Sequence, residues 1–304
     1  MFGFRPEGRK VQNMDPLVEI TSYIMPTRVD AQVFLNQEIR YDVLANYIAK
    51  KAKEGYKITF MEIIIAAFVR AVSQLPEVNR FVVNKTLYSR KELTVSFAIL
   101  KHAEDDNPPE ETVVKVKFDP YDTLYDVVSR VKKDVIENQK PENSNSTLKL
   151  VKFLMNVPML PTIVVGFAKL LDRYGLLPKV IIDLSPFHTS MFITNMASIG
   201  MSNVNHHIYN FGTTTLFVSM GAVKRSFKML KDGSLKRNRL LPLGITADER
   251  VCAGAVYAKL FAYVMDFLNE PEKLETPPET VRFDKNCEYS EPKVDLKYSK
   301  INFE

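Results

Sequence analysis

The segment TADERVCAG, residues 246–254, gathers side chains that could do chemistry: the carboxylates Asp248 and Glu249, the guanidinium of Arg250 and the thiol of Cys252. A carboxylate can take a proton from a reacting group, and a thiol becomes a nucleophile once it is a thiolate. No histidine adjoins Cys252, so we interpret it as a small apolar core residue rather than a nucleophile. The segment therefore offers two carboxylates, those of Asp248 and Glu249, as groups that could move a proton.

The histidines and cysteines elsewhere in the chain offer few other candidates for catalysis or metal binding. His188, in SPFHTS, is interpreted as a structural histidine, and the adjacent His206 and His207 form either a surface pair or a pair that reaches a catalytic site. Neither the four histidines nor Cys252 and Cys287 have metal-ligand spacing, so the sequence predicts no metal site and no disulfide framework. The few cysteines, and an N-terminus without an apolar signal-peptide core, predict a cytoplasmic protein.

The formal net charge of +5 is mild, and its one local concentration is basic. That concentration predicts either a solvated hairpin face or a surface that attracts a phosphate-bearing ligand. No basic run is interleaved with aromatic residues, so we expect no nucleic-acid binding. The concentrated residues are Lys224, Arg225, Lys228, Lys231, Lys236, Arg237 and Arg239.

The pattern of strands and helices that must position these residues predicts a mixed α/β fold. Thr59 with Glu62 three positions on is a capping-box signature, and it predicts a mostly buried helix that ends at Pro76. Long helices between mixed strands favour an α/β sandwich, and no glycine-rich nucleotide loop is present. Further helices are predicted after the strand that opens RVDAQVFLNQEIRYDVLANYIAKKAKEGYKI, over 119–139 and at AGAVYAKLFAYVMDFLNEPEKL. Strands are predicted at LVEITSYIMP (17–26), RFVVN, TLYSR, LTVSFAILK, ETVVKVKF, TSMFITNMAS, TTTLFVSMGAVKR and LLPLGITAD, with the turn KDGS (231–234) between the last two.

The apolar stretch from Leu150 to Pro178 is the one candidate for membrane contact. Charged residues and two prolines interrupt it, so it contains no span of about 20 apolar residues and predicts no transmembrane segment. We predict two amphipathic helices with a proline break, packed on the domain or covering an active-site entrance. Contact with a membrane surface is the alternative.

Several motifs occur in the order of one known family. From Met191 onward the chain resembles the catalytic domain of the acyltransferase component of 2-oxo acid dehydrogenase complexes, whose fold is shared with chloramphenicol acetyltransferase. The resemblance covers roughly residues 17–275 and implies an α/β, chloramphenicol acetyltransferase-like two-layer sandwich with a mixed sheet. FITNMAS (192–198), TLFVSMGAVKR (215–225), DERVCAG (248–254), FLNEPEKL (267–274) and the PEVN that ends residues 57–79 match the family's TISNLG, glycine-hairpin, DHRxxDG, L..P..L and PEVN segments.

The resemblance also implies a homotrimer with active sites at subunit interfaces, where coenzyme A and an acyl acceptor enter a channel from opposite ends. In the family the histidine of DHRxxDG removes the thiol proton, and a hydroxyl in the TISN strand stabilises the oxyanion. The matching positions here are Glu249 and Thr194, with Asn195 beside the hydroxyl. His206 and His207 fall in the segment that faces the family's trimer contacts. The motif itself assigns loop support to Asp248, Arg250 and Gly254.

Two departures from the family motif bear on catalysis. A thiol has a pKa of about 8.5 and a free glutamate about 4.3, so proton transfer is uphill by about 5.7 kcal/mol, against about 2.7 kcal/mol for a histidine. Burial can raise a carboxyl pKa by about 3–5 units, so Glu249 could serve as base only in a dry pocket without a cationic partner. Ala253 is the second departure, because the family has Asp or Asn there and a methyl group cannot make the same hydrogen bonds.

The sequence thus predicts an acyltransferase-type protein that moves an acyl group from a thioester, with acyl-CoA the expected substrate, to a thiol or other nucleophile. The alternative is a catalytically inactive relative that serves as a ligand-binding or assembly module. A condensation domain acting on carrier-bound thioesters is disfavoured because HHxxxDG is missing. We predict one catalytic-type domain over 1–275, with an irregular arm at 1–16 and a polar tail at 276–304. No segment resembles a lipoyl or subunit-binding domain, so no lipoyl attachment is expected in this chain.

Overall fold

The computed structural model describes residues 5–12, 14–100, 111–139 and 156–284. The helices are α1 (Pro16–Ile24), α2 (Tyr41–Lys53), α3 (Phe60–Gln74), α4 (Leu124–Gln139), α5 (Leu160–Arg173), α6 (Lys179–Leu184) and α7 (Gly254–Asn269). The strands are β1 (Gly8–Lys10), β2 (Gln32–Arg40), β3 (Arg80–Val83), β4 (Thr86–Arg90), β5 (Leu93–Leu100), β6 (Glu111–Phe118), β7 (Met191–Asn195), β8 (Leu216–Met220), β9 (Lys224–Met229) and β10 (Leu235–Asp248).

One large mixed sheet organises the fold. Its strands follow the order β2-β10-β8-β7-β5-β6, and β9 pairs with the first half of β10. The pairs β5–β7 and β7–β8 are parallel and the remaining pairs are antiparallel. A smaller sheet has the order β1-β4-β3. Helices packed on one face of this mixed sheet confirm the predicted α/β two-layer sandwich.

The two faces of the large sheet carry different cores. Leu216 and Val218 of β8 point into the main core, which α3 and α7 cover. Because successive side chains of a strand point to opposite faces, Phe217 lies on the other side of the sheet. There it forms a separate cluster with Phe192 and Ile208. This second face is covered by the loop that carries Ile208, so the two faces of the sheet offer different places for a site.

Helix α3 forms where the capping box predicted it. The Thr59 hydroxyl accepts the backbone N–H of Glu62 at 3.3 Å, and the Glu62 carboxylate accepts the backbone N–H of Thr59 at 2.7 Å. Residues on every side of the helix, from Glu62 to Ser73, are buried. The predicted strands at β3 to β7 and at β10, and the predicted helices α2, α4 and α7, are likewise present.

The strand predicted at 17–26 is wrong, because that segment is helix α1. Asp15 provides an N-cap whose carboxylate accepts the backbone N–H of Leu17 at 2.8 Å, and Pro16 occupies the first helical position. Proline at that position has no hydrogen bond to lose and a backbone angle already suited to a helix. These local signals outweigh the strand preference of the β-branched residues that follow.

The single strand predicted through TTTLFVSMGAVKR is in fact two, β8 and β9. The chain leaves the sheet at Gly221, whose N–H donates to the carbonyl of Pro242 at 2.9 Å. A side chain at Gly221 would meet the backbone nitrogen of Asn203 at 2.1 Å, so only glycine fits against that loop. The turn at 231–234 joins β9 to β10 as predicted.

Helix α5, the helix that the described part of the 150–178 segment contains, does not pack on the domain as expected. Residues 150–155 lie outside the described residues, and α5 keeps most of its side chains in solvent, including Ile163 at 62 % and Phe167 at 60 % exposure. Asp172, near the C-terminal end of α5, is the buried residue of this helix. No helix in the described part of the chain is long and apolar enough to cross a membrane.

Both predicted peripheral segments contain ordered structure. The N-terminal arm is not wholly irregular, because β1 within it pairs with β4 and Arg5 is buried. At the other end, Arg282 donates its backbone N–H to the carbonyl of Ser73, so residues 276–284 run beside α3. Cys287, in the predicted polar tail, and His102, one of the four histidines, lie outside the described residues.

Candidate functional site

The loop that follows β10 is held by a buried ion pair. Asp248 accepts hydrogen bonds from Nε and Nη2 of Arg250 at 2.8 and 2.7 Å, and both side chains are almost fully buried. Arg250 also donates to the carbonyl of Met25 at 3.0 Å. Arg28 adds a second cation, with its Nε 3.6 Å from the Asp248 carboxylate. Asp248 and Arg250 therefore fix the loop, and neither is free to act on a substrate.

Glu249 points the other way, into solvent at the mouth of a cavity. Its backbone N–H donates to the carbonyl of Ala31 at 3.0 Å, while its side chain is exposed. The cavity has a volume of about 630 Å³, within the usual range of small-molecule sites. This chain alone does not supply the dry surroundings that a carboxylate base would need. Besides Glu249, the cavity is lined by Val33, Leu35, Gln37, Ala247, Cys252, Ala253, Gly254, Tyr257, Ala258, Phe261, Ala262 and Met265.

The cavity is the part of the site that the motifs did not predict. It lies between the edge strand β2 and helix α7, and all but two of its lining side chains, Glu249 and Gln37, are apolar, small or aromatic. The signal was available in the sequence: Tyr257, Phe261 and Met265 recur every four residues directly after the catalytic-type loop. That spacing places them on one helix face.

Cys252 lies in the cavity wall but is not suited to be a nucleophile. It is 5 % exposed, and burial raises the pKa of its thiol to about 12, so the thiolate is strongly disfavoured. The neighbouring Tyr257 donates its hydroxyl to the carbonyl of Asp248 at 2.9 Å, which links α7 to the loop. These contacts agree with the interpretation of Cys252 as a core residue.

The end of the loop lacks a side-chain cap. Helix α7 begins at Gly254 with Ala253 in the N-cap position, and no side chain there accepts its first N–H groups. Ala253 and Gly254 are exposed, and a side chain at Gly254 would meet no described atom within 4 Å. The close packing that would require glycine at position 254 is therefore absent from the described part of this chain.

Thr194 lies at the end of β7 with its hydroxyl available. Among the described residues, the contact of this hydroxyl is the thioether sulfur of Met196 at 4.0 Å, which is a weak acceptor. Asn195 is already engaged, because its side chain accepts the backbone N–H of Ser198 at 3.3 Å. Thr194 is half-buried and could donate to an oxyanion, whereas Asn195 caps the short helix that follows the strand.

The chain does not bring Thr194 and Glu249 together. Thr194 is paired with Ser219 in β8, and Ser219 is paired with Gly244 in β10. Glu249 comes five residues after Gly244, which is roughly 16 Å along the strand at about 3.3 Å per residue. The two predicted catalytic side chains can therefore act on one substrate only if they come from different copies of the chain.

The paired histidines lie on the opposite face of the sheet from the cavity. The ring of His206 stacks on Phe217 with centroids 4.2 Å apart and on His207 at 4.5 Å. Its Nδ1 lies 2.7 Å from the carbonyl oxygen of His207. Within one chain they are part of an aromatic cluster, and they do not reach Glu249.

His188 has the structural position predicted for it. It is buried, with Nδ1 2.8 Å from the Ser185 hydroxyl and Nε2 3.2 Å from the Asp172 carboxylate. Burial lowers the pKa of His188, although Asp172 acts in the opposite direction. Among the described residues, no group of three or more His, Cys, Asp and Glu side chains could hold a metal ion.

Comparisons with known proteins agree with the motifs. Residues 187–276 match the family model described as 2-oxoacid dehydrogenases acyltransferase (catalytic domain), a range that contains both Thr194 and the loop of Glu249. No curated protein matches the chain. The resemblance predicted from the motifs is thereby confirmed.

Solved structures show the same fold at low sequence identity. A probable dihydrolipoamide acetyltransferase from Listeria monocytogenes 4b F2365 is 14 % identical with a TM-score of 0.51, covering 90 % of this chain and 98 % of that one. The dihydrolipoamide acetyltransferase of Azotobacter vinelandii, in which a serine, a histidine and an asparagine were investigated for their role in catalysis, is 15 % identical with a TM-score of 0.52, covering 87 % and 94 %. A chloramphenicol acetyltransferase is 9 % identical with a TM-score of 0.50, covering 86 % and 99 %.

Proposed function

Because the chain has the fold of these acyltransferases and matches their catalytic-domain model around the loop of Glu249, we propose that it transfers an acyl group from a thioester, acyl-CoA being the expected donor, to a nucleophilic acceptor. The observation that carries the proposal is the apolar cavity of about 630 Å³ that opens beside Glu249. Its aromatic and aliphatic lining suits the hydrocarbon part of an acyl group. A polar substrate would lose its hydration there without compensation.

The reaction follows from these groups. The acceptor attacks the thioester carbonyl carbon, the carbon–sulfur bond breaks, and the thiolate leaves with the electron pair. The acceptor's proton passes through a base to the departing thiolate, so the products are the acylated acceptor and a free thiol. The Thr194 hydroxyl stabilises the oxyanion of the tetrahedral intermediate, as preorganised donors commonly do.

Because Thr194 and Glu249 lie far apart within one chain, the proposed active site forms only when copies of the chain assemble. In a homotrimer, Thr194 of one copy would meet Glu249 of the next, and the neighbouring copy would exclude water from the exposed carboxylate. Exclusion of water is what a glutamate needs to become a useful base for a thiol. Oligomer formation and activity should therefore be lost together when the protein is diluted below the concentration at which the trimer dissociates.

A second candidate function has its own support. Glu249 is exposed and Ala253 provides no cap. The histidine and asparagine that were investigated in the Azotobacter enzyme lie four positions apart, and Glu249 and Ala253 have the same spacing. A site with both groups replaced could bind an acyl thioester or hold an assembly together without transferring the acyl group. This candidate is favoured if coenzyme A binds and no turnover occurs.

The test is acyl transfer by the purified chain with a panel of acyl-CoA donors and thiol or amine acceptors, followed through release of the free thiol. Glu249→Gln should reduce turnover by about 100-fold or more, since general-base catalysis contributes about 10²–10⁴-fold. Glu272→Gln, which removes an exposed carboxylate outside the cavity, is the matched control and should leave turnover unchanged. A wild type that is inactive while Glu249→His with Ala253→Asn gains activity would overturn the transferase proposal in favour of the binding module, and calorimetry with coenzyme A would then measure the binding.

A further inference from the structure

A second cavity, on the other side of the Asp248–Arg250 pair, is strongly cationic. It has a volume of about 340 Å³ and lies between the end of α1, the β3–β4 turn and the C-terminal end of α5. The described lining contains one carboxylate, Asp172, which already serves Arg5 and lies beside His188. The basic residues in the lining are Arg28, Lys85, Lys169, Arg173 and Arg250.

Three of these cations are not neutralised. Arg28 and Arg250 share the carboxylate of Asp248, but within the described ranges Lys85, Lys169 and Arg173 form no ion pair with a carboxylate. Arg28 is buried, its Nε makes no hydrogen bond, and burial lowers the pKa of this guanidinium to about 10. A phosphate group entering the cavity would bring the negative charge that this arrangement lacks.

The β3–β4 turn holds the rim of the cavity in place. Asn84 and Lys85 both have left-handed backbone conformations, with φ of 47° and 61°, which non-glycine residues seldom adopt. Asn84 accepts a hydrogen bond from Nε of Arg173 in α5 at 3.1 Å, and Nζ of Lys85 lies 4.8 Å from the ring centroid of Tyr23 in α1. The turn therefore links both helices to the edge of the same cationic cavity.

Helix α5 carries an apolar stripe directed away from the domain. Its outward residues recur at i, i+4, i+7 and i+11, which places them on one face. Asp172, the residue that anchors α5 to the domain, is on the opposite side of the helix. Lys169 and Arg173 flank the stripe on the side that lines the cavity. The stripe consists of Ile163, Phe167 and Leu170 of α5 and of Tyr174 at its C-cap, which are 62, 60, 51 and 38 % exposed.

Helix α1 presents a similar face on the other side of the cavity. Leu17, Ile20 and Ile24 share one face and are 76, 51 and 70 % exposed, while Ser22 on the opposite side is buried. Water-soluble surfaces rarely expose apolar side chains in such continuous groups without a binding role. Apolar helix faces flanked by basic side chains are typical of helices that lie in the membrane interface.

We propose that this surface docks on an anionic membrane, with a lipid phosphate in the cationic cavity and the outward faces of α1 and α5 in the headgroup region. The bulk of the chain stays in water, which fits a described part without a spanning helix. Basic residues next to an anionic surface attract it strongly, and the apolar stripes add burial that a free phosphate ion could not provide. Membrane docking does not depend on acyl transfer, so it can be measured by itself.

The chain contains no tryptophan, which allows a direct test with single reporters. Phe167→Trp places one in the α5 stripe, and Phe227→Trp places one in the β9–β10 hairpin at a comparable exposure of 63 %. Each protein is mixed with neutral phosphatidylcholine vesicles and with vesicles that also contain phosphatidic acid. We expect co-sedimentation and a blue-shifted emission of Trp at 167 with the anionic vesicles only, and no shift at 227.

Charge variants then locate the contact. Lys169→Gln with Arg173→Gln should weaken vesicle binding about 25-fold, from about fivefold for each cation near the surface. Lys228→Gln with Lys236→Gln removes the same charge from the hairpin and should change binding less than about twofold. Equal losses in both double variants, equal shifts at both reporters, or no sedimentation would overturn the proposal.

Two further outcomes would assign the surface to another occupant and reject the membrane. If inorganic phosphate or coenzyme A protects Lys169 from amine modification while vesicles do not bind, the cavity takes a soluble phosphate compound. If the emission at 167 is already blue-shifted without vesicles and sedimentation velocity shows an oligomer, a second copy covers the stripe.

Discussion

Helices α3 and α5 are built from similar apolar residues and end up in opposite environments. Helix α3, Phe60–Gln74, is buried from Glu62 to Ser73 between the large sheet and its neighbouring helices. Helix α5, Leu160–Arg173, keeps its apolar stripe in solvent and buries Asp172. Apolar composition therefore did not decide burial. The two helices differ in what they bury: α3 packs its apolar residues into the core, whereas the buried residue of α5 is the charged Asp172, which pairs with Arg5.

The ion pair between Asp172 of α5 and Arg5 explains what this helix is suited to do. A helix whose buried contact is a carboxylate at one end leaves the remaining surface for another partner. Helix α3 instead buries its apolar surface inside the molecule, where it supports the sheet that carries Thr194 and the loop of Glu249. The comparison separates a part of the chain that supports the candidate site from a part that leaves apolar surface exposed.

The largest expected effect comes from the same substitution in the two helices. Ile65 in α3 is 0 % exposed, so Ile65→Ala should lower the free energy of unfolding by about 2–5 kcal/mol. Ile163 in α5 is 62 % exposed, so Ile163→Ala should change it by less than about 0.5 kcal/mol. Chemical denaturation of both variants measures the contrast. A loss above about 2 kcal/mol for Ile163→Ala would show that α5 is packed in solution, and the comparison would fail.

Much of the fold was predictable because its signals are local. The capping box of α3, the alternating strands and the KDGS turn each act within a few residues, and the structure contains all three. The motif order likewise located Thr194 and Glu249 at the ends of their strands. Segment 17–26 was predicted wrongly because its β-branched residues suggested a strand, although Asp15 and Pro16 begin a helix.

The rest could not be read from local sequence because it depends on distant contacts. Whether Glu249 is exposed is set by how β2 and α7 meet, and the 630 Å³ cavity is made by residues more than 200 positions apart. The contact that holds Asp172 of α5 involves Arg5, which lies 167 residues away in the chain. The separation of Thr194 from Glu249 follows from strand register, which a single sequence does not specify.

The ion pair between Asp172 of α5 and Arg5 gives the next prediction. Asp172 accepts a hydrogen bond from Nη2 of Arg5 at 2.8 Å, and Asp172→Asn should lower the free energy of unfolding by about 1.5–3 kcal/mol, the usual contribution of a hydrogen bond to a charged group. Asp183→Asn, in the exposed pair of Asp183 with Lys179, is the matched control and should cost less than about 1 kcal/mol. Urea denaturation measures both.

The same ion pair predicts how the free energy of unfolding depends on pH. Burial acts to raise the pKa of Asp172, but His188 and Arg5 outweigh it, so this pKa is below its ordinary value of 3.8. The stabilisation by Asp172 is therefore fully present above pH 3.8 and is lost as the pH falls through the lowered pKa. The pKa of His188 is below 6.5, so the unfolded chain takes up that proton first and stability also falls as the pH drops below 6.5. Because Asp172 also favours the protonated form of His188, the difference between wild type and Asp172→Asn should be constant only above about pH 7.5, where His188 is neutral in the folded and unfolded chain. Below pH 3.8 the difference should shrink as Asp172 itself becomes protonated, and a difference that does not shrink there would contradict the assignment.

The smallest expected effect reverses its sign between the two helices. Thr59→Ala removes the N-cap hydroxyl of α3 and should lower the free energy of unfolding by about 1 kcal/mol, within the usual 0.5–2 kcal/mol for a lost cap. Thr162→Ala makes the same change at an exposed position in the first turn of α5, where alanine is the better helix former, and should stabilise that helix by a few tenths of a kcal/mol. Denaturation reports the first change, and amide hydrogen exchange within α5 reports the second. If Thr162→Ala speeds exchange in α5, its hydroxyl contributes to a cap, and the contrast between a capped helix and an uncapped one is wrong.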